Sequence, residues 1–314
     1  MMFGSKLVGY GYYAPEKIVP NAGLEKLMDT TDEWILIRTG IRQRHIARDD
    51  EGVVDMAEAA VRRSLGMAKL EPDDIDCIIF ATISGKRDFP AEAEYLYSRL
   101  GMTNNAPAFD VKAACTGFVY AMHIARAFFA AGMYRRILIV GSEKMSQMVD
   151  WTDRNTAVLF GDGAGAMIFE RTEEAGQGIV ASEIFSDGAN AGLLYSNDKG
   201  HVCMDGKEVY KHAVRNMGAA GLAVLESAGM TKDDIDWLLP HQANMRIIIS
   251  ASEKIGFPMD KVITNVDKFA NTSGASGALA LAYAAEQGLI KPGQRILYTA
   301  FGAGLTWGAA VIKM

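Results

Sequence analysis

The same short pattern occurs twice in this chain, and few folds accommodate a duplication of this kind. The first run is Ser64-Leu65-Gly66-Met67-Ala68-Lys69, then Leu70-Glu71-Pro72, then Asp73-Asp74-Ile75-Asp76-Cys77-Ile78-Ile79. The second is Ser227-Ala228-Gly229-Met230-Thr231-Lys232, followed directly by Asp233-Asp234-Ile235-Asp236-Trp237-Leu238-Leu239. Apart from a three-residue insertion the two nearly match. Each reads as a helix ending at Gly, an acidic turn and an apolar strand. Two more echoes follow in the same order. Arg136-Ile137-Leu138 pairs with Arg295-Ile296-Leu297, and Phe160-Gly161-Asp162-Gly163-Ala164-Gly165 with Phe301-Gly302-Ala303-Gly304. An internal duplication is expected, with one copy in residues 1–172 and the other in 173–314. Strands alternate with helices inside each copy, so an α/β fold with mainly parallel or mixed sheets is expected. A chain of 314 residues is long enough for two such core-bearing units.

Cys115 stands where a buried strand hands over to a helix. Small residues crowd it on one side, and Phe118, Met122, Ala125 and Phe129 form an apolar stripe on the other. The counterpart helix is Gly277 to Gln287, and its Ala-rich face suggests that the two helices pack closely across a pseudo-twofold axis. A thiol at a helix N-terminus feels the positive end of the macrodipole, which lowers its pKa and favours nucleophilic chemistry. A buried inert cysteine fits the local run equally well. The duplication adds partners. Counting back from Gly288 by the separation of Cys115 from Gly132 gives Asn271. His241 follows the apolar strand Trp237-Leu238-Leu239-Pro240, at the carboxyl end where α/β sheets bind ligands. A core histidine and a helix-cap asparagine are the plainer readings of each residue alone. Together, Cys115, His241 and Asn271 sit where loops of two related halves converge.

Composition narrows the function. A formal net charge of −6 argues against a general nucleic-acid binder. Cys77, Cys115 and Cys203 form no CxxC and no even framework, which favours free thiols in a reducing compartment. The segment Met1 to Tyr10 lacks a signal-peptide core, and no stretch is apolar enough to span a membrane, so the cytoplasm is expected. Gly161 to Gly165 resembles a phosphate loop, but an apolar strand-like run follows instead of a helix, so a structural turn is expected. His201 and Cys203 share a strand face without further ligands, and no metal is expected.

The full set of motifs resembles the β-ketoacyl-acyl-carrier-protein synthase III family, condensing enzymes of the thiolase fold. The resemblance covers nearly the whole chain. It rests on Thr31-Asp32-Glu33-Trp34-Ile35, Arg38-Thr39-Gly40-Ile41, Asp110-Val111 through Ala114-Cys115, Phe160 to Gly165, Pro240-His241-Gln242-Ala243-Asn244, Asn271-Thr272-Ser273 and Phe301-Gly302-Ala303-Gly304. It implies a thiolase-like fold of duplicated α/β halves in five α-β-α-β-α layers. It implies that Cys115 takes an acyl group from a short acyl-CoA, acetyl-CoA among them. His241 and Asn271 would hold the enolate left when a malonyl-acyl carrier protein loses carbon dioxide. The N–H groups of Cys115 and Ala303 would form the oxyanion hole. A general-base role for His241 is the rival assignment.

The resemblance also implies that coenzyme A enters as a thioester substrate, with no permanently bound cofactor. Trp34 would stack the adenine, Arg154 would lie near that ring and Arg38 would reach a phosphate. Gly206, Tyr210, Asn244 and Arg246 would line the pantetheine tunnel or its mouth, and Phe160 the acyl pocket. Core packing for Trp34 and a surface ion pair for Arg154 are the plainer alternatives. A homodimer is implied, with the loop Ser84 to Pro90 reaching the partner's acyl pocket and Phe89 intruding. Independently of family, Lys207, Lys211 and Arg215 recur every four residues on a helix expected from Gly206 to Met217, and Arg246 and Lys254 lie eight apart on another. Such cation stripes on an acidic protein suit an acidic partner such as acyl carrier protein, or are simply solvated faces. Two departures stand out: Ala303 where many members have Gly, and Ala270-Asn271-Thr272-Ser273-Gly274-Ala275-Ser276 in place of Gly-Asn-Thr-Ser-Ala-Ala-Ser. A relative that primes a polyketide or secondary-metabolite pathway, or a simple acyltransferase, is the competing function.

Overall fold

The computed structural model describes residues 3–314, so Met1 and Met2, where the expected first half and the N-terminal segment begin, lie outside the described residues. Two sheets carry the architecture. The first has five strands in the spatial order Gly4–Tyr13, Asp162–Thr172, Arg136–Lys144, Cys77–Ala81 and Ala108–Val111. The second has four, ordered Gly178–Ser186, Thr306–Lys313, Arg295–Gly302 and Trp237–Pro240. Both sheets are mixed. Cys77–Ala81 runs parallel to Arg136–Lys144, as Trp237–Pro240 does to Arg295–Gly302. The remaining neighbour of each long strand is antiparallel. The fifth strand of the first sheet is reduced in the second to a single parallel bridge between Leu238 and Val262.

Alternating side chains explain the layering. Ile79, Ile137, Ile139, Met167 and Phe169 of the first sheet join Leu239, Ile296, Tyr298, Ala310 and Ile312 of the second in one central core. The helices Gly117–Ala130 and Ser276–Glu286 fill that core with Phe118, Met122, Phe129, Leu281 and Ala284. Residues one step along the same strands point outward. Ile78, Phe80, Leu138 and Ile168 meet the helices Val53–Ala68 and Glu92–Leu100. Leu238, Leu297 and Val311 meet Gly206–Ser227 and Met245–Ile255. Strands buried on both faces demand such continuous apolar runs. The result is the five-layered thiolase-like arrangement. The second central helix packs closely on a strand: a Cβ placed on Gly165 would overlap Leu279 N and lie 2.6 Å from Ala278 Cβ.

Several expectations need correction. The helix starting at Gly206 continues past Met217 to Ser227, because Ala220, Val224 and Leu225 extend its buried stripe. Gly66 does not end its helix; Lys69 does, in the left-handed conformation with φ 55°. Gly229, with φ 63°, is its counterpart. From there the halves run in step without a gap. Leu70 N–H bonds Leu65 O as Met230 N–H bonds Leu225 O. Asp74 then accepts from Glu71 N–H as Asp234 accepts from Thr231 N–H. The three-residue insertion was an accident of matching Ser-x-Gly-Met. The third echo is also not an equivalence: Phe160 precedes a strand, whereas Phe301-Gly302 ends one. Nor is Gly161 to Gly165 mainly a turn. The strand begins at Asp162, whose buried carboxylate takes hydrogen bonds from Ala47 N, Ser146 N and Ser146 Oγ.

Candidate active site

Cys115 lies in a short 3-10 turn, Ala114–Thr116, between the strand Ala108–Val111 and the helix Gly117–Ala130. Ala114 turns the chain there with φ 46°, a left-handed conformation that costs a non-glycine residue free energy. The Cys115 thiol is buried, with Sγ 3.5 Å from Ser273 Oγ. Its burial pushes the pKa up to about 11, and the Glu143 carboxyl adds to the rise, against the pull of Ser273. The direction is the opposite of the expected lowering, and its largest cause is desolvation by burial. The end of the strand Arg295–Gly302 closes on this elbow. A Cβ on Gly302 would stand 2.9 Å from Cys115 N and 3.2 Å from Cys115 Cβ, so only glycine leaves that amide accessible. Ala303 follows without a positive φ, so its methyl group brings no backbone strain. Thr116 and Thr306 hydroxyls, 2.7 Å apart, clasp the two loops, and Thr306 also donates to Ala303 O at 2.8 Å.

His241 follows the strand Trp237–Pro240 and is buried. Nδ1 is 2.6 Å from Ser276 Oγ, while Nε2 is buried with no hydrogen-bond partner among the described residues. Burial holds this imidazole down to about 4, so it is neutral at physiological pH. Asn271 is fixed through its backbone. Its N–H donates to Leu159 O at 2.9 Å, and its carbonyl accepts from Gly161 N at 3.1 Å. Its Oδ1 accepts from Ser273 N at 2.8 Å, which leaves the amide nitrogen free to donate.

Two cavities meet at Cys115. The first, about 810 Å³, is lined by Cys115, His241 and Asn271 and rises past Phe301 to a rim of Trp34, Arg38, Lys207, Lys211 and Arg246. Gly206, Tyr210 and Asn244 also line it. Arg154 is not on its wall but lies 5.1 Å over the Trp34 ring, which Arg38 also approaches at 4.4 Å. The second cavity, about 730 Å³, is mostly apolar; Ile83, Tyr120, Met145, Met148, Leu194 and Ala303 contribute, and Phe160 borders both. His241 and Asn271 do not reach it. Phe89 lies outside both cavities, 84% exposed, and Lys86, Arg87 and Asp88 are exposed beside it. Lys211 pairs with Glu208 at 2.7 Å and Arg215 bonds His212 at 2.9 Å, while Arg215, Arg246 and Lys254 are exposed. Among the described residues no group of three or more His, Cys, Asp or Glu side chains is gathered for a metal.

Sequence reasoning overlooked Ser276, Gly302, Glu143 and Arg44. Ser276 had a weak signal, its place one helical turn beyond Thr272 in a run of small residues. Glu143 and Arg44 had none, because their burial depends on strands distant in sequence.

Two family descriptions match the chain: 3-oxoacyl-[acyl-carrier-protein] synthase III at residues 109–188 and its C-terminal domain at 225–314. The chain is 47% identical to a β-ketoacyl-[acyl-carrier-protein] synthase III of Geobacillus kaustophilus over 310 residues, 99% of each chain. The fold superimposes on the crystal structure of 3-oxoacyl-[acyl-carrier-protein] synthase III from Aquifex aeolicus with a TM-score of 0.96 at 42% identity, covering 99% of this chain and 100% of that one. A priming β-ketosynthase from the R1128 polyketide biosynthetic pathway is less similar in sequence, at 35% identity and a TM-score of 0.94 over 100% and 97% of the two chains.

Proposed function

The chain belongs to the β-ketoacyl-acyl-carrier-protein synthase III family, and from that premise we propose that its reaction runs on Cys115, His241 and Asn271. Members are acyl-transferring condensing enzymes, and this one joins an acyl-CoA primer to malonyl-acyl carrier protein to begin fatty-acid synthesis. One observation carries the assignment of roles: Cys115 faces both cavities, whereas His241 and Asn271 face only the first. An acyl group on Sγ then extends into the apolar second cavity. The first cavity is left for the pantetheine arm, of coenzyme A and then of the carrier protein.

In the first half-reaction Sγ gives up its proton and attacks the primer carbonyl. The C–S bond to coenzyme A breaks, and coenzyme A leaves as the thiol. In the second, the malonyl thioester loses carbon dioxide. The electron pair of that bond becomes an enolate, whose oxygen takes hydrogen bonds from His241 Nε2 and the Asn271 amide. In the proposed mechanism the Ser276 hydroxyl, 2.6 Å from Nδ1, is taken as the donor, the tautomer that places the ring proton on Nε2. A neutral imidazole serves here as a donor without having to gain a proton. The enolate carbon then attacks the acyl-Cys115 carbonyl. The N–H groups of Cys115 and Ala303 hold the tetrahedral oxyanion, and the C–S bond breaks to release 3-oxoacyl-acyl carrier protein and a Cys115 thiolate, which takes up a proton from solvent.

The rim supports the rest of the reading. Trp34 with Arg154 and Arg38 would receive the adenine and phosphates of coenzyme A; Gly206, Tyr210, Asn244 and Arg246 would receive the pantetheine. Lys207, Lys211, Arg215, Arg246 and Lys254 would dock the acidic carrier protein. The exposed Phe89 would enter the second cavity of a partner in a homodimer. We also divide the chain into copies at 1–172 and 173–314 and place it in the cytoplasm. No described helix is long and apolar enough to cross a membrane.

Mass spectrometry after incubation with a panel of acyl-CoA thioesters tests the proposal and reports primer length. A mass increase confined to Cys115 is expected, lost in Cys115→Ala. No adduct from any acyl-CoA overturns it.

A further inference from the structure

Arg44 is fully buried, 0% exposed, and among the described residues no carboxylate pairs with it. Its guanidinium bonds only neutral groups. Nη1 and Nη2 both donate to Asn21 Oδ1 at 3.0 Å, Nη1 to Val19 O at 3.2 Å, and Nη2 to Val158 O at 3.0 Å. Nε has no hydrogen-bond partner among the described residues. Burial alone pulls the guanidinium down to about 10, a measure of how poorly this charge is compensated. Buried charges are ordinarily paired, because desolvation is costly. A chain that needed only to fill this space could have used an apolar residue.

The contacts beyond Val158 lead to the site. Leu159 accepts from the Asn271 N–H, and Gly161 N–H donates to the Asn271 carbonyl, so 159–161 holds both sides of the Asn271 peptide. Phe160 and Asn271 form an isolated parallel bridge there. The strand that carries Arg44, Gln43–Ile46, supports the same region at other points. The His45 ring stacks on Phe269 at 5.3 Å, and Arg42 N–H donates to Asp267 O at 3.0 Å. Just after Phe269 the chain turns through Ala270 with φ 58°, a strained step that the surroundings must enforce.

We infer that Arg44 is a positioning residue for Asn271: its buried guanidinium anchors the 158–161 segment, which in turn sets the amide that meets the enolate oxygen. Arg44 touches no substrate. The inference rests on the proposed enolate role of Asn271. The Cys115 backbone is held by other elements, the turn Ala114–Thr116 and the end of Arg295–Gly302, and its thiol touches the Asn271 loop at Ser273 Oγ, 3.5 Å away. The two half-reactions should therefore respond differently to loss of Arg44.

The test uses the full chain with acetyl-CoA and malonyl-acyl carrier protein. Acylation of Cys115 is followed by mass, and carbon dioxide release by the acylated enzyme separately. In Arg44→Lys one ammonium cannot reach all the acceptors that the planar guanidinium fork holds. Acylation should stay within about threefold of wild type, while decarboxylation falls about 30-fold with little change in KM, as a shift of about an ångström in a catalytic group would cause. Asn271→Ala should give the same split, and Arg44→Lys added to it should cost less than about threefold more, because both act through one group. Arg44→Gln, which removes the charge, should show the same split; should it fail to fold, Arg44→Lys decides. Equal loss in both half-reactions of a folded variant, unchanged decarboxylation, or additive effects in the double variant each overturn the positioning role. A wild-type chain inert in both half-reactions overturns the proposed function instead.

Discussion

The two strand-to-helix elbows of this molecule share a backbone and exchange their chemistry. In the first, Ala114 turns with φ 46° before Cys115, and the helix starts at Gly117. In the second, Ser273 turns with φ 48° before Gly274, and the helix starts at Ser276. Each elbow meets the end of a long strand. The bare Gly302 lies against Cys115; the carboxylate of Glu143 lies against the bare Gly274, where a Cβ would stand 3.1 Å from Oε1. The side chain is thus on the elbow in one half and on the strand in the other. The first arrangement leaves the thiol open to two cavities. The second is plugged. Glu143 is buried, and its Oε2 takes hydrogen bonds from Thr82 Oγ1, Ile83 N and Ser84 N, each at 3.1 Å, and from the Ser84 hydroxyl. In the proposed reaction the first elbow is the reaction centre, while the second fastens the chain that leads to the Phe89 loop.

The most damaging way to break this difference is to give the first elbow a side chain on its strand. Gly302→Val places carbon atoms over the Cys115 amide. Loss of one oxyanion donor typically costs 10²–10³ in rate. Acylation of Cys115 by acetyl-CoA, followed by stopped-flow release of coenzyme A, should slow by about 10³, with the fold retained by circular dichroism. A variant within tenfold of wild type would show that this amide takes no part.

Unplugging the second elbow should cost stability before activity. Glu143→Ala strands several buried donors and should lower unfolding free energy by on the order of 3 kcal/mol in urea titrations. Glu143→Gln keeps the shape and isolates the charge. Burial raises the Glu143 carboxyl from 4.5 to about 7, against the donors that pull it down. A carboxyl raised in the folded state stabilises fully below 4.5, and that contribution is lost as pH rises through about 7. His241 has the opposite sign: lowered by burial from 6.5 to about 4, it stabilises fully above 6.5 and loses this as pH falls through about 4. Removing Glu143 therefore leaves a variant whose stability rises more steeply than wild type between pH 4.5 and 7. The difference should approach a ceiling of about 3 kcal/mol. Parallel curves for the two proteins would show that Glu143 does not titrate there.

The same comparison explains what could be read from sequence. Cys115 and His241 were legible because a run of apolar residues beside small or polar ones marks a strand end locally. Asn271 was reached by counting back from Gly288, and the count is misleading. The second central helix has 11 residues against 14 in the first, so the backbone counterpart of Cys115 is Gly274, not Asn271. Asn271 lines the cavity because it lies just ahead of that elbow. Glu143 was invisible: Ser142-Glu143-Lys144 reads as the polar end of a strand, yet all three are buried, Ser142 against Val53, Lys144 against Arg48 and Glu51, and Glu143 between its own half and Gly274. Arg44 was hidden likewise among Arg42, Gln43 and His45, since which member of a basic strand turns inward depends on partners outside the local run, from Asn21 to Val158. The cavity wall beyond Cys115 is assembled from many separate segments, a pattern that no local periodicity reveals.

The smallest expected effect sharpens the duplication itself. Asp76 and Asp236 occupy matching positions before their strands, and each N–H bonds the carbonyl of the matching arginine, Arg136 or Arg295, at 2.9 Å. Their carboxylates differ. Asp76 is half-buried and accepts from Arg135 N and Arg136 N at 2.9 and 2.8 Å; Asp236 is exposed and accepts from Arg295 N at 2.8 Å. Hydrogen bonds to a charged acceptor contribute about 1.5–3 kcal/mol when sheltered and less in solvent. Asp76→Asn should thus destabilise by about 1.5 kcal/mol and Asp236→Asn by about 0.5 kcal/mol, read as shifts in the urea midpoint at constant slope. Equal shifts would mean that the second amide and the burial in the first half contribute nothing, and that at this corner the two copies remain energetically as well as geometrically alike.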